Sequence, residues 1–307
     1  MRAALRALRR LGVRLVLLGS VALVVPTGSV HPTTISLTTL GTAKAVDPGN
    51  DVLWVLALGS EATPGTNVMQ GRTDAIQLIG VHWGGRRAVA IGLPRDLYVD
   101  LPRGRGRISQ ALEQEGPVGV AQEVEELLGI APDLVLVTGF DGFLSTLGAV
   151  GDVAIESPVG FTTDDGRVDV RPGSNTLDPE QALSYASTRD TLPAASDYER
   201  VANHQRLLWG VLERLRAAED DEGYMERTTL AALAGLQSDL SPSDAYRIIQ
   251  ALTTIDPART RACIIRGEPA VEFGAAVLVP DRAQADAVGT DAEDDVRLQG
   301  GCRDGSG

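Results

Sequence analysis

From residue 51 onward the chain alternates apolar runs with stretches of helical periodicity, and that alternation leaves few folds open. Runs at 52–58, 75–82, 88–93, 134–138 and 153–156 are rich in Val, Ile, Leu and Ala. Near-continuous runs of this kind suit strands buried on both faces of a sheet. Val120, Val124, Leu127 and Leu128 recur at helical spacing, and Gly129 stands where it can close that helix. Asp178-Pro179-Glu180-Gln181 supplies an N-cap, a proline for the first turn and a reciprocal glutamine three residues on. The helix it starts is expected to run through Ala182, Leu183 and Tyr185 and to deliver Arg189 just past its end. A longer helix is expected from near Asp197 to Arg216, with Val201, Leu208, Val211, Leu212 and Leu215 toward the core and Arg200 and Asn203 on another face. Ser241-Pro242-Ser243-Asp244 caps one more. The pattern predicts an α/β domain.

The 307 residues allow one large domain with appendages. A net charge of −13 argues against nucleic acid as a partner, because a phosphate backbone needs a basic surface. It leaves room for a small anionic ligand, since that depends on local arginines. The first 25 residues place Arg2, Arg6, Arg9, Arg10 and Arg14 before an apolar run at 15–25. A basic flank and a short apolar core form an export signal. The expectation is an uncleaved, single-pass signal anchor in the cell membrane, with the flank cytoplasmic and the rest extracytoplasmic. Secretion after cleavage is the alternative, for which Ala43-Lys44-Ala45 has the right shape but lies far downstream. Residues 26–50 are rich in Thr, Ser, Gly and Pro and read as a tether, and 283–307 as an acidic, glycine-rich, mobile tail. Cys263 and Cys302 are an even pair, expected to form a disulfide in an exported protein; two unpaired buried thiols are the other reading.

The chemistry sits where apolar runs end. Glu61 follows the first run, Arg72-Thr73-Asp74 opens the second, and Pro94-Arg95-Asp96 follows the third. Carboxylate oxygens are the hard ligands that Mg2+ prefers, and guanidinium forks grip phosphate oxygens in pairs. A divalent metal and a phosphorylated ligand suit such a sheet edge. The chain has no phosphate-binding Gly-Lys-Ser/Thr loop, no Gly-x-Ser-x-Gly elbow and no His-Glu-x-x-His, and its only histidines are His31, His82 and His204. That leaves little room for a histidine-based hydrolase or a zinc enzyme.

The order of these segments resembles the LytR-CpsA-Psr family. Leu58-Gly59-Ser60-Glu61, Arg72-Thr73-Asp74 and Leu93-Pro94-Arg95-Asp96 are followed by Arg107-Ile108-Ser109-Gln110-Ala111, where that family has Lys-Ile-Asn-His-Ala. Phe140-Asp141-Gly142-Phe143, Glu180-Gln181-Ala182-Leu183 and Asp197-Tyr198-Glu199-Arg200 complete the series. The resemblance covers 51–216 and, in helix pattern, continues toward Pro257, within a domain taken as 51–282. It implies a single domain with a central mixed β-sheet flanked by helices, an α-β-α sandwich. It implies a Mg2+-dependent phosphotransferase that moves a glycopolymer from a polyprenyl-pyrophosphate carrier onto peptidoglycan.

By the same resemblance Glu61 and Asp74 bind magnesium, and Arg72, Arg95, Arg107, Arg189, Arg200 and Gln205 meet the pyrophosphate. Arg72 and Arg95 stabilise the moving charge, and Asp96 orients Arg95 or activates the acceptor hydroxyl. Besides Arg107 for lysine and Ser109 for asparagine, the chain departs from the family at three more places. Glu61 replaces an aspartate, Ser187 stands where an arginine precedes Arg189, and Asn203 stands where many members have another arginine. Two other readings therefore stay open: a non-catalytic polyprenyl-phosphate-binding protein, and a polyprenyl-pyrophosphate pyrophosphatase.

Overall fold

The computed structural model describes residues 35–40, 52–63, 65–192, 197–218 and 252–299, with 221, 223–224, 227–228, 236–238, 248 and 302. The basic flank, the apolar run at 15–25 and the cap at Ser241 lie outside the described residues. The first strands are β1 Ile35–Thr39, β2 Val52–Ser60, β3 Thr73–His82, β4 Arg87–Gly92, β5 Tyr98–Val99, β6 Gly106–Arg107 and β7 Leu134–Thr138. They are followed by β8 Val153–Ser157, β9 Phe161–Thr162, β10 Asp169–Val170, β11 Gly173–Leu177, β12 Leu236–Ser238, β13 Thr260–Ile264, β14 Gly267–Glu272 and β15 Ala275–Pro280. Helices are α1 Ala111–Leu128, α2 Phe140–Val150, α3 Pro179–Ser187, α4 Asp197–Ala217 and α5 Arg282–Ala292.

Seven strands form one mixed sheet in the order β12-β1-β7-β2-β3-β4-β13. The central strands β2, β3 and β4 run antiparallel to their neighbours in this trio, while β7 and β13 flank them in parallel to β2 and β4. Along β3, Ile76 and Leu78 enter a core with α1 and α5, while Ile79 and Val81 pack with Leu212 and Trp209 of α4. The alternation explains the apolar run of β3, which has a helix layer on both sides. On the α4 side the core continues through α2, α3, β8 and β11.

Local signals account for the helix limits. Asp178 caps α3 in a reciprocal box with Gln181, and Gly129 ends α1 in the left-handed region with φ 72°. Two close approaches set how helices lie on the sheet. A Cβ on Gly92 would come within 2.3 Å of Val201, so this glycine lets α4 descend onto the end of β4. A Cβ on Gly289 would meet the Leu128 carbonyl at 1.7 Å, so α5 crosses the end of α1 only with glycine there. Along α4, Leu207 is buried, where Leu208 was expected.

Two domain boundaries need correction. Residues 35–39, assigned to the tether, form β1 between β7 and β12. The segment is Ile-Ser-Leu-Thr-Thr, and a compositional reading of Thr as linker-like overlooked that a β-branched residue fits a strand. Residues 283–292, assigned to the mobile tail, belong to α5, which is capped by the Asp281 side chain and buries Ala285, Val288 and Ala292. Those positions are three, four and seven apart, an apolar stripe that small side chains made faint. Cys263 and Cys302 form a disulfide with Cα atoms 5.5 Å apart.

Candidate active site

Because β3 is antiparallel to both neighbours, its first residues lie at the same sheet edge as the last residues of β2 and β4. That is what gathers Glu61, Arg72, Asp74, Arg95 and Asp96. Glu61 extends the pairing, its N–H donating to the Arg72 carbonyl at 2.9 Å. Between the pairs Gly59/Ala75 and Ser60/Thr73, Asp74 is the extra residue of a β-bulge. A bulge re-aims a side chain, and here it lets Asp74 form an ion pair with Arg95.

The network continues into α4. The Arg95 backbone N–H donates to Asp197 Oδ2 at 3.0 Å, and Asp197 Oδ1 pairs with Arg200. The Arg200 side chain is only 6% exposed. Burial by itself lowers the Arg95 pKa, but the charges of Asp74, Asp96 and Asp197 outweigh it and hold the guanidinium above its ordinary value. The Nε atoms of both Arg95 and Arg200 are buried without a hydrogen-bond partner among the described residues. Buried polar groups are nearly always satisfied, so these two donors are exceptions, and they belong to guanidinium groups of the kind that pair with oxyanions.

Around this centre the other residues differ in how they are held. Arg107 lies 3.2 Å from Asp96 and donates to the Ala276 carbonyl at 3.2 and 2.6 Å. Asp96 thus pairs with Arg107, and the side chain that orients Arg95 is Asp74, a correction to the first of the two roles expected of Asp96. Arg72 is exposed and 3.6 Å from Glu113. Arg189 follows α3, half exposed, 3.7 Å from Asp190. Its main chain is fixed by Asp164, whose carboxylate accepts the N–H groups of Arg189, Asp190 and Thr191 at 2.8, 3.1 and 2.9 Å. Desolvation opposes ionisation of Asp164, but these hydrogen bonds prevail and bring its pKa down to about 2. A cavity of about 300 Å3 adjoins this turn, lined in part by Phe140, Asp164, Arg167, Glu180 and Ser187.

Gln205 is not at the site. It is 4% exposed and donates to the carbonyls of Ala90 and Cys263 at 3.2 and 2.8 Å. One helical turn beyond the charged face of α4, its side chain fastens the helix to β4 and β13. Asn203 is likewise internal, accepting from Tyr185 Oη and Arg206 at 2.8 and 2.7 Å. His82 accepts the Gly85 N–H at 2.7 Å and serves the β3–β4 turn. His204 was overlooked. It lies four residues after Arg200, its Nε2 is 3.0 Å from the Ala186 carbonyl, and its charge interacts with Arg200 and Asp74. Desolvation, helped by Arg200, lowers its pKa to about 4, so at neutral pH it is uncharged. Its spacing from Arg200 along α4 was the available signal.

Among the described residues no three His, Cys, Asp or Glu side chains gather into a metal cage. Magnesium does not require one. In phosphoryl-transfer sites it is held by one or two carboxylates with substrate phosphates and water. Arg95 engages Oδ1 of Asp74, and the carboxylate has a second oxygen; exposed Glu61 ends the adjacent strand. This donor set fits a magnesium ion completed by its substrate.

Fold and site together define an α/β protein with a linked cluster of arginines and aspartates at one edge of a mixed sheet. The sequence model of the LytR_cpsA_psr family matches residues 32–294, and the chain belongs to that family. It is 28% identical over 221 residues to "Polyisoprenyl-teichoic acid--peptidoglycan teichoic acid transferase TagT" of Bacillus subtilis (strain 168), covering 69% of this chain and 67% of that one. It is 29% identical over 149 residues to "Probable cell wall biosynthesis protein LcpB" of Corynebacterium glutamicum, covering 48% of this chain and 35% of that one. Among solved structures, B. subtilis TagV superposes with a TM-score of 0.68 at 20% identity, covering 82% of this chain and 99% of that one. "TagT bound to LI-WTA" superposes at 0.65 with 24% identity, covering 82% and 93%. At these identities the superpositions speak to fold.

Proposed function

We propose that this protein is a phosphotransferase that moves a glycopolymer from a polyprenyl-pyrophosphate carrier onto peptidoglycan. The observation that carries the reading is the linked set Asp74, Arg95, Asp197 and Arg200, with two unsatisfied guanidinium donors at one sheet edge. Membership of the family, and the transferase activity by which TagT is named, support it.

The acceptor sugar hydroxyl attacks the phosphorus that bears the glycan. A phosphodiester forms, the bond to the bridging oxygen breaks, and polyprenyl phosphate leaves with that oxygen. The hydroxyl proton passes to Asp96, which Arg107 holds in place. Arg95 and Arg200 bind the pyrophosphate oxygens, and Arg189 meets the same group from the end of α3. Such transfers depend chiefly on positioning and on stabilising charge. Asp74 and Glu61 would hold magnesium, which supplies further charge neutralisation on the phosphates. A membrane-anchored, extracytoplasmic location is part of this proposal, supported by the basic flank before the apolar run and by a disulfide of the kind kept in oxidising compartments.

The test is reconstitution with a lipid-linked donor and peptidoglycan. Transfer should need a divalent cation and weaken on Asp74→Asn at limiting magnesium. Arg95→Lys should cost roughly ten- to hundredfold in rate, since a charged hydrogen bond is worth roughly 1.5–3 kcal/mol and an ammonium cannot reproduce the fork. Release of glycopolymer phosphate into water with no peptidoglycan product would replace this reading by a pyrophosphatase. Full activity in Arg95→Ala would move the phosphate site elsewhere.

A further inference from the structure

The β14–β15 hairpin carries apolar side chains where water should disfavour them most. Phe273 is 97% exposed and Val271 73% exposed, and Pro269, Ala275 and Ala276 are exposed beside them. Phe273 and Gly274 make the two-residue turn between the paired residues Glu272 and Ala275, both with positive φ, 49° and 80°. Asn or Gly is the preferred first residue of such a turn, and a bulky side chain at positive φ is an outlier. Neither burial among the described residues nor turn geometry favours phenylalanine here, which points to a contact beyond the described residues.

The root of the hairpin stands on the candidate site. The Ala276 carbonyl accepts from Arg107, and the Leu278 N–H donates to the Asp96 carbonyl at 2.9 Å. Tyr198, at the start of α4, bonds Gly267 through both its hydroxyl hydrogen and oxygen, at 3.1 and 2.9 Å. A surface held by this tip is therefore held next to Asp96 and Arg107.

We propose that the tip of this hairpin, led by Phe273 and Val271, inserts into the interface of a lipid bilayer and sets the site against the membrane that carries its substrate. The identity of that substrate rests on the proposed function; insertion does not. Residues 269–276 are too few for a stable protein partner or second copy, which takes about 20–30 residues a side. They include one acid, Glu272, and no Lys or Arg of their own, and the Arg107 guanidinium reaches only the Ala276 carbonyl opposite Val271, so apolar burial at the turn leads the contact with one cation behind it. Among the described residues no helix is long and apolar enough to cross a membrane.

The test uses the full chain in phosphatidylcholine vesicles containing lipid brominated along the acyl chain. With the wild-type tryptophan signal subtracted, the Trp in Phe273→Trp should emit at shorter wavelength than in water and be quenched by the bromines. Emission at the water position without quenching overturns insertion. Phe273→Asn, which suits the turn, should keep or raise Tm. It should raise KM about tenfold for a long-chain donor embedded in vesicles, the partition loss expected for one buried aromatic ring. A water-soluble short-prenyl donor should be turned over unchanged. Equal loss on both donors overturns the lipid role, as does a wild-type dimer that Phe273→Asn dissociates in sedimentation. Absence of turnover on either donor would count against the transferase reading alone, while quenching still decides insertion.

Discussion

Asp197 ties the backbone of Arg95 to the side chain of Arg200, and so joins the sheet edge to the start of α4. The Asp197–Arg200 pair is among the most enclosed charge pairs in the described residues, with side chains 11% and 6% exposed. Taking one partner from a buried pair leaves the other charge uncompensated, at a cost of about 3–5 kcal/mol. Asp197→Ala should therefore lower the urea midpoint sharply as well as abolish transfer. Adding Arg200→Met should restore much of the stability and none of the transfer. An unchanged midpoint in the single variant would show that the pair is solvated. Arg95 differs: its partner Asp74 is a third exposed, so its variants should be read mainly in activity.

On α1, Glu123 faces inward and is 8% exposed. Burial, with repulsion from Glu126 and Glu115 on the same helix and Asp100 before it, raises its pKa to about 7; Arg282 of α5 opposes the shift. Since the ordinary value is 4.5, the folded chain binds an extra proton between pH 4.5 and about 7. The stabilisation is complete below 4.5 and is lost as pH rises through about 7. Glu123→Gln should raise Tm by several degrees at pH 8 and hardly change it at pH 4. A uniform shift across that range would mean that packing, and not protonation, governs this position. The same helix bends at Gly116, φ 71°, directly before Pro117, so its first turns and the inward-facing remainder lie along different directions.

At the scale of the molecule, β13 closes one end of the sheet, and the disulfide from Cys263 returns to it from residue 302, beyond α5. The bridge spans 39 residues and pins α5 against α1 and the sheet. Bridges closing loops of this size contribute about 2–4 kcal/mol. Reduction, or Cys263→Ser with Cys302→Ser, should lower stability by that amount in denaturant titration. Identical midpoints with and without reductant would show that the helices hold the segment unaided.

The sequence alone determined the strands at the centre of the sheet and the limits of α3 and α4, because these depend on continuous apolar runs and on capping residues only a few positions apart. It also located the arginines and acids at strand ends, since charge beside a buried run has to emerge where the run stops. It could not say that Asp74 holds Arg95, that Asp96 belongs to Arg107, or that Gln205 turns into the core. Those pairings join residues 11 to 115 positions apart, and a bulge, a helix register or a hairpin decides each of them. Nor did composition reveal β1, whose Ser and Thr residues read as a tether, or α5, whose small side chains become core only when α1 supplies the other half of the contact. Local chemistry gave the parts of the site; the antiparallel placement of β3 between β2 and β4 brought them to one edge.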